Sequence, residues 1–349
     1  MPNTIERIIM KKIYLLLPVL LLAKVAWAQD PQYSQFYAAS LYLNPAFAGT
    51  TDDSRVMMNH RRQWPKLDAV FTTSGFGVDH NFERYNSGVG LLVTNDYISA
   101  SGLKSLDLGA QYSYNLKLSQ KMAFRAGFQF SYVNRSIDYS RFIFNDQLSD
   151  WGPNGQPTTE IFDASAVSFA DISSGGLLYG EHWWLGFAAH HVNRPSQSFM
   201  KGQSRLPLKG SLHTGYKFYI DKLSRTKSIE KEREKSVTLC ANYKAQGEFD
   251  QLEVGVYTNY NVFVLGGWYR GLPIKAYQRG MSNHESIVVL TGFRYKGLNV
   301  GYSHDLTISK LASATGGAHE ISIAYDFPLG KQGKKKLAGR LRKLPCPQF

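Results

Sequence analysis

The stretch Ser286–Phe327 decides the fold of this chain, and it reads SIVVLTGFRYKGLNVGYSHDLTISKLASATGGAHEISIAYDF. Apolar and polar residues alternate along three runs within it. The last run is the most regular. Its apolar positions, Ile321, Ile323, Tyr325 and Phe327, alternate with Glu320, Ser322, Ala324 and Asp326. Successive side chains of a β-strand point to opposite faces, so this period of two predicts strands with one apolar and one polar face.

The connections between these runs alternate in length. Lys296-Gly297 predicts a two-residue hairpin turn, whereas Ser309 to Gly317 predicts a longer loop. Short turns on one side and long loops on the other are typical of barrels that cross an outer membrane. The stretch therefore predicts an all-β protein, a transmembrane antiparallel β-barrel.

The composition of the whole chain agrees with this prediction. Tyr, Phe and Trp make up 13% of the 349 residues, and there are 31 glycines. After residue 28, no apolar run approaches the roughly 18 residues that a membrane helix needs. A chain of this length fits two soluble domains or one closed barrel of about fourteen to sixteen strands, and the alternation favours the barrel.

The barrel is predicted over residues 54–327, and its alternating segments give about 14 strands. Their ranges are 54–62, 69–80, 87–96, 102–117, 122–135, 164–178, 182–191, 207–220, 236–246, 250–260, 262–271, 286–295, 298–307 and 318–327. Unpaired backbone groups in hydrocarbon cost several kcal/mol each, so an open sheet edge cannot persist there. We therefore expect the last strand to pair with the first.

An even strand number predicts which way the barrel faces. Both ends of an even-stranded barrel lie on one side, and export across the inner membrane makes that side the periplasm. We therefore expect both termini in the periplasm. The long loops at 136–163, 192–206, 272–285 and 308–317 should then be extracellular.

Residues 1–28 are predicted to be a signal peptide. Two lysines precede an apolar run from Ile13 to Ala23, and Ala26-Trp27-Ala28 places small residues where signal peptidase cleaves. Cleavage would leave Gln29 as the first residue. An uncleaved anchor is the alternative, which is less favoured because the apolar run is too short to span a bilayer comfortably.

Residues 29–53 are predicted to form a separate segment, either periplasmic or within the lumen. Helical spacing relates five of its residues: Tyr33, Phe36, Tyr37, Ser40 and Leu41. Asn44-Pro45 ends this helix, because a residue before proline is disfavoured in the α region. We expect a short helix and a turn that plug the barrel from within or beneath it. The alternative is a peripheral arm that contacts only the lipid interface.

The residues 328–349 are predicted to form a basic periplasmic tail. The tail has no acid and seven basic residues: Lys331, Lys334, Lys335, Lys336, Arg340, Arg342 and Lys343. Anionic lipid or an acidic protein surface suits such a tail, nucleic acid suits an exported protein least, and a merely solvated tail is the alternative. The charged connection 221–235 is predicted on the same side. Together they are candidate docking elements.

One tryptophan and the two cysteines of the mature chain have separate predictions. Trp64 is either an anchor for a protein partner at the barrel rim or an interfacial aromatic. Cys240 and Cys346 are too few for a disulfide framework. Cys240 is expected to be a small apolar strand residue, and the role of Cys346 stays open.

Several segments resemble the PorP/SprF family of the type IX secretion system. QDPQYSQFY at 29–37 leads to LNPAFAG at 43–49, and RRQWP at 61–65 looks like the Arg-x-Gln-Trp segment of that family. HEIS at 319–322, YDFP at 325–328 and the ending CPQF are similar as well, although Gln348 stands where a basic residue is expected. The resemblance spans the whole mature chain.

This resemblance implies an outer-membrane protein of Bacteroidota. Some relatives belong to the core secretion and gliding machinery and associate with a periplasmic ring made of a lipoprotein and its partner. Others are encoded beside large surface adhesins, which they help to secrete and hold by a C-terminal sorting domain. The implied partners are therefore such a sorting domain or the ring, together with outer-membrane lipid.

The sequence lacks the common motifs of catalytic and nucleotide-binding sites. The chain has no Walker loop and no G-x-G-x-x-G, H-E-x-x-H or G-x-S-x-G motif. His190 and His191 are adjacent in a strand, so they point to opposite faces and do not readily share a metal ion. We expect no enzyme, no cofactor and no metal. A passive, porin-like channel for small solutes is the alternative function, because side chains alone do not fill so wide a lumen.

Overall fold

A computed structural model describes residues 30–51, 54–200, 202–220, 234–272, 283–309, 312–329 and 344–346. The predicted signal peptide and nearly all of the charged connection 221–235 lie outside these residues. No helix among the described residues is long and apolar enough to cross a membrane.

Fourteen long strands form one closed antiparallel barrel, which confirms the predicted fold. They are β1 (Ser54–Gln63), β2 (Phe71–Phe82), β3 (Ser87–Ile98), β4 (Leu103–Lys117), β5 (Ala123–Ser136), β8 (Ala166–Tyr179), β9 (Trp183–His190), β10 (Lys209–Tyr219), β11 (Lys235–Gln246), β12 (Phe249–Tyr260), β13 (Phe263–Gly271), β14 (His284–Tyr295), β15 (Leu298–Thr307) and β16 (Ala318–Phe327). Two very short strands, β6 (Leu148–Ser149) and β7 (Gly152–Pro153), form a separate hairpin.

The barrel closes between its first and last strands, as predicted. β1 pairs with β16 along its whole length, from Ser54 opposite Phe327 to Gln63 opposite Ala318. β1 also pairs with β2 on its other side, so both edges of this strand are satisfied.

The alternation read from the sequence separates the outside of the barrel from its lumen. In β16, the side chains of Ile321 and Ile323 are 48% and 43% exposed, whereas Glu320 and Ser322 are 1% and 3% exposed. The apolar side chains of the strand thus face outward, and the polar side chains that alternate with them face the lumen. This is the arrangement that lipid requires, because hydrocarbon surrounds the barrel and polar groups are satisfied within it.

The two ends of the barrel differ in their connections. The turn end, where β1 begins and β16 finishes, includes the short connections 83–86, 118–122, 180–182, 261–262 and 296–297. At Lys296-Gly297 both residues have positive φ, 46° and 84°, which is the geometry that a two-residue hairpin needs. The opposite end is here called the loop end, and it carries the long connections 137–165 and 191–208.

The chain before β1 contains less helix than its spacing predicts. A short α-helix covers Ser40–Leu43 and a 3-10 helix covers Pro45–Phe47. The Asn44 side chain accepts a hydrogen bond from the Ala46 N–H and so caps the 3-10 helix. Barrel side chains bond part of the backbone that a longer helix would pair internally: Glu320 accepts the N–H groups of Ser34 and Gln35, and Gln111 donates to the Leu41 carbonyl.

Candidate functional site

The lumen of the barrel is occupied by residues 31–51, here called the lumenal segment. Its largest side chains, including Phe36, Tyr37, Leu41 and Phe47, are buried. At the loop end, Gln32 accepts a hydrogen bond from Lys244. Near the turn end, the Gly49 N–H donates to Asp79 at 2.7 Å. The segment therefore crosses the lumen from the loop end to the start of β1.

A buried set of charged residues, the ion-pair cluster, lies near the loop end. It comprises Arg61 of β1, Glu253 of β12, Arg270 of β13, Asp305 of β15 and Glu320 of β16. Arg270 lies 2.8 Å from both Asp305 and Glu253, and Arg61 lies 3.0 Å from Asp305. Their side chains are at most 4% exposed, so each charge depends on its partners rather than on water.

Two residues of the lumenal segment complete the ion-pair cluster. The Ser34 hydroxyl donates to Asp305 at 2.6 Å and accepts from Arg270 at 3.0 Å. Glu320 accepts the backbone N–H groups of Ser34 at 2.6 Å and Gln35 at 3.2 Å. A buried carboxylate needs several donors, and here the lumenal segment supplies two of them. The cluster and the segment therefore stabilise each other.

Glycines in three strands bring the NPAFAG part of the lumenal segment against the barrel wall. A Cβ on Gly127 would lie 2.2 Å from the Ala46 nitrogen, and one on Gly88 would lie 2.1 Å from the Ala48 oxygen. A Cβ on Gly175 would lie 2.2 Å from the side-chain oxygen of Asn44. No larger residue fits at these positions without moving the segment.

Asn44 links the lumenal segment to β8, β9 and β10. Its side-chain amide donates to the Phe187 carbonyl at 2.9 Å and to the Gly176 carbonyl at 3.2 Å. The same amide lies 3.2 Å from His213 Nε2, which is buried beneath it. Because its side-chain oxygen caps the 3-10 helix, one asparagine satisfies both the segment and the wall.

Aromatic rings fill the lumen between the ion-pair cluster and the glycines. Tyr37 packs against Trp184 with ring centroids 5.5 Å apart, and its hydroxyl accepts a hydrogen bond from the indole N–H at 3.1 Å. Tyr257 and Trp268 stack at 5.4 Å, and Phe36 contacts Trp268 edge-on at 6.1 Å. Rings from the segment and from β9, β12 and β13 thus form one buried core.

The C-terminal peptide Leu344–Cys346 lies in the same core, toward the turn end. All three residues are buried, and Leu344 and Cys346 belong to the cluster that contains Tyr37 and Phe47. Burial raises the pKa of the Cys346 thiol to about 12, although the nearby Lys217 and Arg55 oppose this shift. Cys346, whose role the sequence left open, therefore serves as a neutral core residue at physiological pH.

The described parts of the two terminal segments lie toward opposite ends of the lumen. Residues 31–35 lie at the loop end, and residues 344–346 lie toward the turn end. The strand count fixes only where β1 begins and β16 finishes, both at the turn end. The expectation that both termini are periplasmic stays a prediction.

The partner-binding residues predicted from the sequence are not assembled into a site by the described residues. Trp64 is half-buried at the loop end, where its ring meets Phe71 edge-on at 5.4 Å and its backbone N–H donates to the Gly317 carbonyl at 2.8 Å. The basic candidates lie outside the described residues: Lys331, Lys334, Lys335, Lys336, Arg340, Arg342 and Lys343. Their role remains a prediction.

Histidines do not gather into a metal site in the part of the chain that the structure describes. His191 Nδ1 lies 3.0 Å from Asp171 Oδ2. No group of three or more His, Cys, Asp or Glu residues among the described positions is arranged to hold a metal ion.

Comparisons with solved structures give similar barrels of low sequence identity. A Pseudomonas aeruginosa FadL homologue is 10% identical with a TM-score of 0.46, covering 83% of this chain and 94% of that chain. The Acinetobacter baumannii outer membrane protein Omp33 is 9% identical with a TM-score of 0.39, covering 79% and 98%. A mutant of the Rh. blastica porin is 7% identical with a TM-score of 0.34, covering 79% and 99%.

Comparison by sequence is more specific. No curated protein matches the chain. The family model described as type IX secretion system membrane protein PorP/SprF matches residues 25–325, which is most of the chain. The protein therefore belongs to the PorP/SprF family of type IX secretion system membrane proteins.

Proposed function

We propose that this protein is a non-catalytic outer-membrane scaffold of the type IX secretion and gliding machinery, which binds protein partners rather than passing small solutes. The observation that carries the proposal is the lumen, which the chain fills with its own lumenal segment and C-terminal peptide. A porin keeps a continuous aqueous path, whereas here aromatic rings and buried ion pairs occupy that space. The occupied lumen thus favours a scaffold over a porin-like channel.

With the lumen occupied, protein partners would bind at the two ends of the barrel. We place the loop end outside the cell and the turn end in the periplasm, because export delivers the barrel from the periplasmic side and long loops typically face outward. The loop end would hold a surface adhesin by the C-terminal sorting domain of the adhesin. The barrel protein would also help to secrete that adhesin. The turn end, with the basic stretch 331–343, would contact the periplasmic ring lipoprotein and its partner.

The experiment that tests this proposal is affinity purification of the tagged protein from detergent-solubilised outer membranes. We expect mass spectrometry to find a large surface protein retained through its C-terminal domain, or the ring proteins. Replacing the seven basic tail residues with glutamine should remove the ring proteins and leave a surface protein bound. The matched deletion strain should lose display or secretion of the surface protein.

Two results would contradict the proposal. One is unchanged secretion and surface display in the deletion strain. The other is stable open conductance steps from the purified protein in a planar bilayer, which would favour the porin-like channel. A silent bilayer together with a recovered protein partner is the expected combination.

A further inference from the structure

The connection between β5 and β8, residues 137–165, is a folded unit rather than an irregular loop. Tyr139 and Phe162 stack at 3.9 Å with their planes within 9°, and Phe144 packs on Phe162 at 4.9 Å. The Ile137 N–H donates to the Ser165 carbonyl at 2.9 Å and closes the base of this loop. The loop thus has a small aromatic core of its own.

Asp146 fixes the hairpin of this loop to its returning chain. Its carboxylate accepts the Thr159 N–H and the hydroxyls of Thr158 and Thr159, all within 3.0 Å. The Thr159 amide, followed by the two hydroxyls, holds the pKa of Asp146 below its ordinary value. The Asn154 side chain also donates to the Asp146 carbonyl at 3.1 Å. These bonds order the loop before any partner arrives.

The ordered loop exposes five large apolar side chains, of which Trp151 and Ile161 are the most exposed. The other three are Phe142, Ile143 and Leu148. Trp151 stands at the tip of the β6–β7 hairpin and is 97% exposed, and Ile161 is 94% exposed. Tryptophan is seldom left so fully in water, and it is among the residues that contribute most to protein interfaces. An anchor displayed on a rigid loop binds with little further loss of conformational entropy.

The charge of the loop points to the chemistry of what binds it. Residues 137–165 contain five acidic residues and one basic residue, in a chain whose net charge is +13. Asp150 and Glu160 directly precede Trp151 and Ile161. An anionic lipid surface would be repelled by this loop, whereas a protein surface with basic groups would be attracted.

We propose that loop 137–165 docks a second protein whose apolar pocket is bordered by lysine or arginine, with Trp151 and Ile161 as the inserted anchors. This rests on the proposed function only in requiring that the partner is a protein. It adds which surface of this protein binds the partner, and it adds the chemistry of the partner's binding surface. It does not depend on whether that partner is an adhesin domain.

The test begins with a photo-cross-linking amino acid placed at position 151 of the full-length protein in its native membrane. Met200 on connection 191–208 is 67% exposed and is the matched control position. We expect a protein to cross-link at 151 and not at 200, through a peptide that has Lys or Arg neighbours. A cross-link only to lipopolysaccharide or to a second copy of this chain would overturn the proposal.

The cross-linked protein, once purified, becomes the probe for binding to detergent-solubilised barrels. Trp151→Ser should weaken its binding about 30-fold, because a tryptophan anchor commonly contributes that much. Asp150→Lys with Glu160→Lys should weaken binding about tenfold at low salt and less at high salt, since screening removes the charge effect. Met200→Ser should change binding by less than about twofold, as expected of a peripheral surface position.

The outcomes separate this inference from the proposed function. If Trp151→Ser binds within twofold of the parent, or if protein cross-links arise only at 200, the docking assignment is wrong although a protein partner exists. If no protein cross-links at either position and purification of the whole barrel also recovers none, both fail. Because Trp151 is almost fully exposed, its substitution should leave heat-modifiable migration of the barrel unchanged.

Discussion

The lumenal segment and loop 137–165 are both irregular in sequence, but they obtain their structure in opposite ways. The backbone and side chain of Ser34 bond Glu320 and Asp305, which are 286 and 271 residues away. In the loop, Asp146 bonds Thr158 and Thr159, which are 12 and 13 residues away. One segment is ordered by the closed barrel, and the other is ordered by itself.

The difference separates the part of the chain that stabilises the barrel from the part that we propose binds a partner. Changes along the lumenal segment disturb buried charges and close backbone contacts, so they should affect the whole barrel. Changes on the loop meet mostly solvent, so they should affect partners while leaving the barrel intact. The following experiments test that division.

The largest effect is expected from Gly175→Val. The new side chain would start 2.2 Å from the Asn44 side-chain oxygen, so the lumenal segment must move or leave. We expect a loss of about 3 kcal/mol or more, the cost of overpacking a buried site, or partial opening of the lumen. Heat-modifiable migration on gels measures the loss of stability, and planar-bilayer conductance measures the opening of the lumen.

Gly210→Val is the matched control for this substitution. Gly210 also lies in a barrel strand, but a Cβ there would have no heavy atom within 4 Å. We expect its stability and conductance to match the parent. If both valine variants behave alike, contact with the lumenal segment is not what requires glycine at 175.

A second test removes one charge from the ion-pair cluster. Glu320→Gln keeps the size of the side chain but takes the carboxylate away from Arg61 and from two backbone N–H groups. Breaking a buried charged pair typically costs about 3 to 5 kcal/mol. The midpoint of unfolding in denaturant should therefore fall clearly. Glu160→Gln on the exposed loop should not shift this midpoint, and an equal shift would remove the distinction between the two regions.

A smaller effect is expected at the C-terminal peptide. In a Cys240→Ala background, Cys346 of the folded protein should react with maleimide far more slowly at pH 7.5 than it does in denaturant. Its pKa is raised from 9.0 to about 12 by burial, so its contribution to stability is full below pH 9 and declines as pH rises toward 12. Labelling of the folded protein at the denatured rate would mean that the peptide does not occupy the lumen.

The strands could be predicted from the sequence because the lipid imposes their pattern. Every second residue of β16 faces hydrocarbon, so Ile321 and Ile323 alternate with polar residues whatever the rest of the chain does. The resulting strand limits agree with the structure to within two residues, including the pairing of the first strand with the last.

The candidate site could not be predicted in the same way. The ion-pair cluster joins residues from β1, β12, β13, β15 and β16, and only the register of the closed barrel brings them together. Helical spacing over Tyr33–Leu41 predicts too long a helix. Periodicity depends only on nearby residues, so it does not report hydrogen-bond partners that are distant in sequence, such as Glu320. One signal was available in the sequence. Gly127 lies among the lumen-facing polar positions of its strand, which indicates that another part of the chain approaches the strand closely from within the lumen.

The smallest expected effect lies on the loop itself. Asp146→Asn keeps the shape of the side chain but weakens its charge-assisted bonds to Thr159 and Thr158. Because those bonds are local, the barrel should unfold at the same denaturant concentration, whereas limited proteolysis within 137–165 should become several-fold faster. Asp150→Asn at the hairpin tip is the control and should leave proteolysis unchanged. If Asp146→Asn lowered barrel stability as Glu320→Gln does, the loop would be part of the structural framework rather than a separately ordered element. If it changed neither property, the loop would owe its order to the aromatic stack of Tyr139 and Phe162 alone.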